Sequence, residues 1–467
     1  MPKIDLLKFI QLKPLSALAT FPPGLGKQAL SEMESILSDP MIPEKKNTSS
    51  PKMILFPEKI LIRNCSIQSL LGICFRSFFL RDIYLLLEDI SNTDLKEKLP
   101  DAILDWLVES KNYSLQVQIR KNPKIDPEAL VDDWKQSINS LFTSSDIPIN
   151  TQELNAKKQD LDAGILINST KLSKDFNQDQ QIQSPRFFIS TLRNKSSFYL
   201  ALRNQPLYRR GFRTEFSLSA PLSEDLASVL IDTLVRKFSF GEKEVSLDAY
   251  IPFSGTGTFA FELFMQIFSI VPGILRNQED EYSKRMNQSK IWKFLLEKSG
   301  KLFQSKLNNS LPQVVIHNYD FRSDIVDNSI QNWKQFLINV NQNLGIEIEA
   351  MIPQIKDEIT WNSEDFFETK IPKPKSPNLI IPLNPPFGIR HKNSEPISSF
   401  YKRIAQKINL ECAPLFENTK IQGFLLCPDA ASYSNATEIW QKDWDLETLH
   451  FSQGKLSIRA LFFSSKY

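Results

Sequence analysis

Residues 246–258 read SLDAYIPFSGTGT, and residues 378–387 read NLIIPLNPPF. These two stretches decide the fold. Each is an apolar run of strand length that ends in a turn motif. The first turns through Gly255 and Gly257 into TFAFELFMQIF, which reads as a helix. Further units of the same kind lie around them: strand QVVIHN, helix SIQNWKQFL, a helix near SSFYKRIAQKI and strand GFLLC. Strand–helix alternation predicts a parallel α/β sheet that binds ligands at the carboxyl ends of its strands.

Working outward, this unit spans 206–467. It opens with the helix PLSEDLASVLIDTLVRKF, where Pro221 suits a first helical turn. It closes with LETLHFSQGKLSIRALFFS, a hairpin turning near Gly454. Two small α+β units precede it. Residues 1–95 carry a loop with Pro22, Pro23 and Gly24, a helix, the strand ILFPEKILIR, and a helix running into a strand. Residues 96–205 carry the helix LPDAILDWLVES, the alternating strand SLQVQIRK, the helix ALVDDWKQSINSLF, and the strands AGILIN, RFFISTL and FYLALR.

Composition narrows the function. The chain has 467 residues, 41% hydrophobic and 24% charged, with 56 Lys+Arg against 54 Asp+Glu. That is an ordinary globular composition, so any attraction for phosphate must come from local clusters. Pro185–Arg213 is one, with Arg186, Arg193, Lys195, Arg203, Arg209, Arg210, Arg213 and no acid. Interleaved Phe187, Phe188, Tyr199 and Tyr208 suit it to RNA. Arg120, Lys121 and Lys124 form a second cluster. Cys65, Cys74, Cys412 and Cys427 show no metal-ligand spacing, and three scattered histidines add none, so no metal is expected. No stretch of about 18 apolar residues exists, and the first residues are too charged for a secretory signal. A cytoplasmic monomer without membrane contact is expected.

The chemistry centres on Asn384, Pro385, Pro386 and Phe387. An aromatic amine is a poor nucleophile because its lone pair is delocalised into the ring. Two oxygen acceptors on its N–H bonds help turn that lone pair toward an electrophile. Asn384 offers a side-chain oxygen and Pro385 its carbonyl, in a turn stiffened by proline. Phe387 can stack on a base taken out of its helix. Gly255 and Gly257 let the backbone approach a ligand at a helix N-terminus. Asp320, just after QVVIHN, suits ribose hydroxyls. Asp365 suits an adenine amine. Each taken singly has a plainer alternative, a tight turn or a capping acid. His391 reads as a solvent-facing loop residue.

In this order the pieces resemble a family. RGFR with APLSEDLASVLI, PFSGTGTFAFE, IHNYDF, SEDFF, LNPPFGIR and FSQGKLSIRALFF are similar to the THUMP-domain class I methyltransferases that modify guanine N2 of 23S ribosomal RNA. That family is also labelled N6-adenine-specific DNA methylase-like. FPPGLGKQALSEM resembles its entry into a ferredoxin-like domain, and SLQVQIRKNPKIDPEAL and FYLALRNQPLYRRGFR its THUMP domain. The resemblance implies three domains: ferredoxin-like over 1–95, THUMP-like and RNA-binding over 96–205, and Rossmann-like methyltransferase over 206–467. It implies S-adenosylmethionine as cofactor, lined by Phe253, Gly255 and Gly257, with Asp320 at its ribose and Asp365 at its adenine. Asn384, Pro385 and Phe387 would hold the target amine and base. Two positions depart from the pattern: Ile251 and Arg322 stand where the family has acids. Asp248 cannot replace the first, because three residues along a strand turn it to the other face.

The sequence thus points to an S-adenosylmethionine-dependent RNA methyltransferase, with guanine N2 of large-subunit ribosomal RNA as the expected target. The alternatives are a transfer-RNA guanine-N2 enzyme, a DNA adenine-N6 enzyme, and a weakly active or inactive RNA-binding ribosome-assembly factor.

Overall fold

The computed structural model describes residues 14–39, 42, 50–90, 114–119, 132, 136, 157–161, 164–170, 186–192, 195–213, 222–238, 246–276, 289–309, 312–351, 358–388, 396–454 and 456–466. Two sheets organise them. The first has nine strands: β1 (Leu15–Thr20), β2 (Lys52–Leu55), β3 (Lys59–Cys65), β4 (Asp82–Ile90), β5 (Ser114–Ile119), β6 (Lys157–Leu161), β7 (Gly164–Thr170), β8 (Arg186–Leu192) and β9 (Lys195–Ala201). Their order is β2-β3-β1-β4-β9-β8-β5-β7-β6.

The expected boundary at 95/96 therefore divides a single sheet. β4 pairs antiparallel with β9, from Tyr84↔Ala201 to Ile90↔Ser196, and welds the two N-terminal units edge to edge. The segment read as one strand, ILFPEKILIR, is a hairpin. Pro57 has no N–H for a ladder, so the chain turns there, and Phe56 N donates to Lys59 O (2.8 Å). The sequence reading places no strand at β1 or β6. Helices Gly26–Ser38 and Ile67–Arg76 cover the β1–β3 part, the second capped by Ser66 Oγ on Ser69 N (3.0 Å).

The second sheet holds β10 (Ser246–Ile251), β11 (Gln313–Asp320), β12 (Ile359–Ser363), β13 (Asn378–Leu383), β14 (Lys420–Cys427), β15 (Trp444–Gln453) and β16 (Leu456–Ser465). The order is β12-β11-β10-β13-β14-β16-β15. The pairs from β12 to β14 are parallel, and β16 and β15 are antiparallel. Strand order reverses between β10 and β13, which is where an open α/β sheet leaves a crevice at its carboxyl edge. The expected terminal hairpin is present, with Gly454 in the left-handed region (φ 61°). The helix read from SIQNWKQFL is much longer, Ser323–Leu344, and stops at left-handed Gly345. Helices Lys290–Asn309 and Ala430–Trp440 and strand β12 complete the unit.

Both faces of this sheet are covered. Helices Ile397–Cys412 and Ala430–Trp440 pack on one face through Tyr401, Ile404 and Trp440. Helices Glu224–Arg236, Thr258–Ile267 and Ser323–Leu344 pack on the other. The apolar core on that second face continues unbroken into the N-terminal helices, through Phe75, Leu207, Ile274 and Trp292. A second contact between the sheets lies at the hairpin. Ser452 N donates to Pro23 O (3.1 Å), and Gly24 (φ 93°) lies against the His450 carbonyl. Cys65, Cys74, Cys412 and Cys427 are unpaired and buried, and burial pushes the first two thiols up to about 12. Among the described residues no helix is long and apolar enough to cross a membrane.

Candidate active site at the carboxyl edge of the second sheet

β10 and β13 run side by side, Ala249 opposite Ile380. The glycine loop after Ile251 and the Asn384 turn after Leu383 therefore leave the sheet at the same edge, on either side of the point where strand order reverses. Ser254 N donates to Tyr319 O and Gly257 N to Ser254 O, both at 2.9 Å. Helix Ser323–Leu344 braces the loop from behind: Ser329 Oγ donates to Gly255 O (2.6 Å) and Asn332 Nδ2 to Thr256 O (3.3 Å). Sequence reading missed both braces, because a Ser and an Asn three apart inside a helix carry no motif.

The two glycines differ. At Gly257 (φ 87°) a Cβ would come within 2.8 Å of Trp361 and 3.0 Å of Phe261, so packing and dihedral both require glycine. At Gly255 (φ 52°) a Cβ would meet nothing within 4 Å. That backbone borders open space. Buried Ser254 Oγ and Thr256 Oγ1 have no hydrogen-bond partner. Buried polar groups are normally paired, so two orphaned hydroxyls beside open space suit a polar ligand.

Asp320 is held at this loop. Its Oδ2 accepts from Gly255 N and its Oδ1 from Arg322 N, each at 3.1 Å. Burial holds its pKa above the usual carboxylate range, against the pull of those two donors. Each oxygen keeps a lone pair for a ligand hydroxyl. Arg322, standing where an acid was expected, turns its side chain to an ion pair with Asp324. Phe321, which sequence reading passed over, is 62% exposed beside Asp320. Asp365 is exposed, and Oδ1 accepts from Phe367 N (2.7 Å), an Asx turn that leaves Oδ2 open. Its loop is tied to the site by Glu364 N donating to Asp320 O (3.0 Å). Phe253 packs on Phe366 (4.9 Å) and faces Phe400 (6.4 Å), which gives the crevice an aromatic wall.

Asn384 is half-buried, and its amide makes no hydrogen bond among the described residues. Pro385 is buried, and half-buried Phe387 packs against the core on the face covered by helix Thr258–Ile267. Ile251 is fully buried in the same core. Asp248 lies on the other face, where its carboxylate accepts from Lys375 N ahead of β13, so it supplies nothing to the crevice. Among the described residues no cluster of His, Cys, Asp or Glu is arranged to hold a metal.

The basic stretch has a different role from the one expected of it. Arg210 is fully buried and cannot reach a phosphate. Its Nε donates to Glu262 (3.0 Å), and its other nitrogens reach Leu207 O, Phe78 O and Ser228 Oγ. Arg213 pairs with Glu224 (2.9 Å) and donates to Leu222 O and Thr258 Oγ1. Arg186 pairs with Asp82, and buried Arg203 donates to Arg276 O. Arg203 and Arg210 reach across between the two sheets, whereas Arg186 pairs inside the first and Arg213 pairs with the helices of the second. Arg209 alone of the RNA-contact residues read from the RRGFR motif is exposed, with only Gln205 beside it (3.1 Å). Arg120, Lys121, Lys124 and His391 lie outside the described residues.

Residues 210–415 match the UPF0020 family, an RMKL-like methyltransferase domain. Over 265 residues the chain is 25% identical to a ribosomal RNA large subunit methyltransferase K/L of Desulfotalea psychrophila, covering 56% of this chain and 32% of the relative. It is 25% identical over 222 residues to the protein of that name from Hydrogenovibrio crunogenus, covering 47% and 27%. The chain thus spans about a third or less of the length of these relatives. A crystal structure described as a predicted N6-adenine-specific DNA methylase from Listeria monocytogenes superposes with a TM-score of 0.57 at 13% identity, covering 98% of this chain and 99% of the other. That likeness extends the shared fold over both sheets.

Proposed function

We propose that this chain, whose residues 210–415 match an RMKL-like methyltransferase domain, is an S-adenosylmethionine-dependent RNA methyltransferase acting on an exocyclic base amine, with guanine N2 of large-subunit ribosomal RNA as the target. The observation that carries the reading is the Asn384 amide, unpartnered among the described residues, at the strand-order reversal, one strand away from the glycine loop.

The residues fit the cofactor. Open space at Gly255, the orphaned hydroxyls of Ser254 and Thr256, and the fixed carboxylate of Asp320 suit its ribose and methionine parts. Asp365 Oδ2 and the Phe253–Phe366 wall suit its adenine. When bound, the cofactor supplies an electrophilic methyl group. The chain supplies orientation. Asn384 Oδ1 and the Pro385 carbonyl each accept one N–H of the target amine, which localises the nitrogen lone pair and aims it along one line. Phe387 offers its outward side to the base. The proton released from the amine passes to water.

Ribosomal RNA incubated with labelled cofactor, followed by nucleoside mass spectrometry, tests the reading. Methylated guanine is expected with the native chain and not with Asn384→Ala. A second reading, an RNA-binding assembly factor, draws on buried Ile251, which leaves the crevice without one acid. Calorimetry that detects no cofactor binding would favour it.

A further inference from the structure

Among the described residues, arginines that are buried or half-buried are spoken for, with one exception. Arg76, Arg81, Arg186, Arg210, Arg213 and Arg322 each meet a carboxylate. Arg203 and Arg276 meet backbone carbonyls. Arg459 is half-buried and, among the described residues, meets neither. Its guanidinium instead lies 5.2 Å from the ring centroid of Tyr433. That ring is itself fixed, because Tyr433 Oη hydrogen-bonds Thr448 Oγ1 (3.0 Å). Asp429, two residues beyond the strand partner Cys427, is committed to its own helix: it accepts from Ser432 N (2.8 Å) and Ser432 Oγ (3.0 Å).

The position matters as much as the missing partner. Arg459 pairs with Cys427, the last residue of β14, so it stands at the carboxyl edge of the parallel strands. Leu383, Leu425 and Leu461 share one rung across β13, β14 and β16. Asn384 is one residue beyond that rung and Arg459 two. Two strand spacings separate their backbones, about 10 Å. That is the scale of a single nucleotide.

We propose that Arg459, held in place by Tyr433, binds a backbone phosphate of the RNA strand whose base enters the Asn384 turn. A planar guanidinium with free donors, pre-set by stacking, matches a phosphate in two-point geometry. The stacking lowers the ordering cost of binding. The role is one of positioning: the phosphate contact fixes the register of the strand, and Asn384 acts on the base that this register presents. The inference rests on the RNA-methyltransferase reading above.

The test uses the full chain, an in-vitro transcript of large-subunit ribosomal RNA, and the variants Arg459→Gln and Arg459→Lys. Loss of one phosphate contact is expected to lower the slope of log affinity against log salt by about 0.7–0.9 in Arg459→Gln. Affinity should fall several-fold, while cofactor affinity by calorimetry and the melting temperature stay near the native values. Arg459→Lys should restore most of the slope, since it keeps the charge, but less of the methylation rate, since it loses the fork. A native slope and native affinity in Arg459→Gln would overturn the phosphate assignment and leave the methyltransferase reading standing. If Arg459→Gln folds poorly, a changed slope in well-folded Arg459→Lys with a native rate would overturn it equally. Absence of any salt-dependent RNA binding by the native chain would sink both.

Discussion

Two regions of this protein are rich in polar side chains, and they treat them in opposite ways. At the junction between the sheets, Arg210, Glu262, Ser228, Arg276 and Glu32 are buried, and nearly every donor meets an acceptor. The exceptions there are both polar atoms of the Asn204 amide, Arg276 Nε and Trp292 Nε1. At the carboxyl edge of the second sheet, Asn384, Ser254, Thr256 and Arg459 go without hydrogen-bond partners among the described residues. Folding has met the needs of the first set. The second set is left with unused bonding capacity at the edge where a ligand is proposed. On the proposed reading, the ion-paired and hydrogen-bonded groups hold the fold and the vacant groups at the crevice act on a ligand.

The sharpest way to break that contrast is to take a saturated group away. Arg210→Ala leaves the Glu262 carboxylate buried beside Ser228 without its counter-charge, a change worth about 3–5 kcal/mol of stability. Denaturant melts should show that loss, and any loss of activity should follow unfolding. A native melt would mean that the junction is not held by this pair. Removing a vacant group should do the reverse. Asn384→Ala is expected to keep the native melt and lose about 10²–10³ in single-turnover methyl transfer. Retention of more than half the native rate would remove Asn384 from the chemistry.

A third test uses pH. Glu32 is buried and accepts from Ser77 Oγ (2.6 Å), Phe78 N (2.7 Å) and Phe79 N (3.2 Å). Burial outweighs these donors and raises its pKa from 4.5 to about 7. The folded state then holds a proton that the unfolded state has released. The resulting stability is complete below about 4.5 and is lost as pH rises toward 7, up to about 3 kcal/mol in all. The difference in stability between native protein and Glu32→Gln, followed from pH 5 to 8, should carry that slope. A pH-independent difference would place the Glu32 carboxyl in the ordinary range. The smallest effect concerns Arg209, the exposed arginine of the RRGFR motif. Arg209→Ala should leave stability unchanged and lower the salt slope for RNA by about 0.7–0.9 if it touches a phosphate. An unchanged slope would move the whole motif into the junction.

What could be read from sequence divides along the same line. The crevice was legible because its parts are local: Gly255 and Gly257 follow one strand, Asp320 another, Asn384 a third. The turn chemistry of each is written within ten residues. The roles of Arg210 and Arg213 were not legible. The run Pro185–Arg213 contains no acid, so it reads as a free basic surface, yet Glu262 and Glu224 arrive from other elements. Phe78, another partner of Arg210, lies 132 residues away. The nine-stranded sheet was hidden for the same reason. Pairing of β4 with β9 depends on strand edges that no local pattern announces.

The contact at Gly24 has a consequence in time. A side chain there would drive its Cβ to 2.4 Å from the His450 carbonyl oxygen, so this loop and the Trp444–Ser465 hairpin are fitted to each other. They lie more than 420 residues apart in the chain. At roughly 5–20 residues per second of synthesis, the Pro22–Gly24 loop waits about 20–90 s for its partner to emerge. During that interval a nascent chain carries an unfinished seam, and a product stopped short of residue 444 carries it permanently. Limited proteolysis should cut such a product near Gly24 and spare a chain that carries the hairpin.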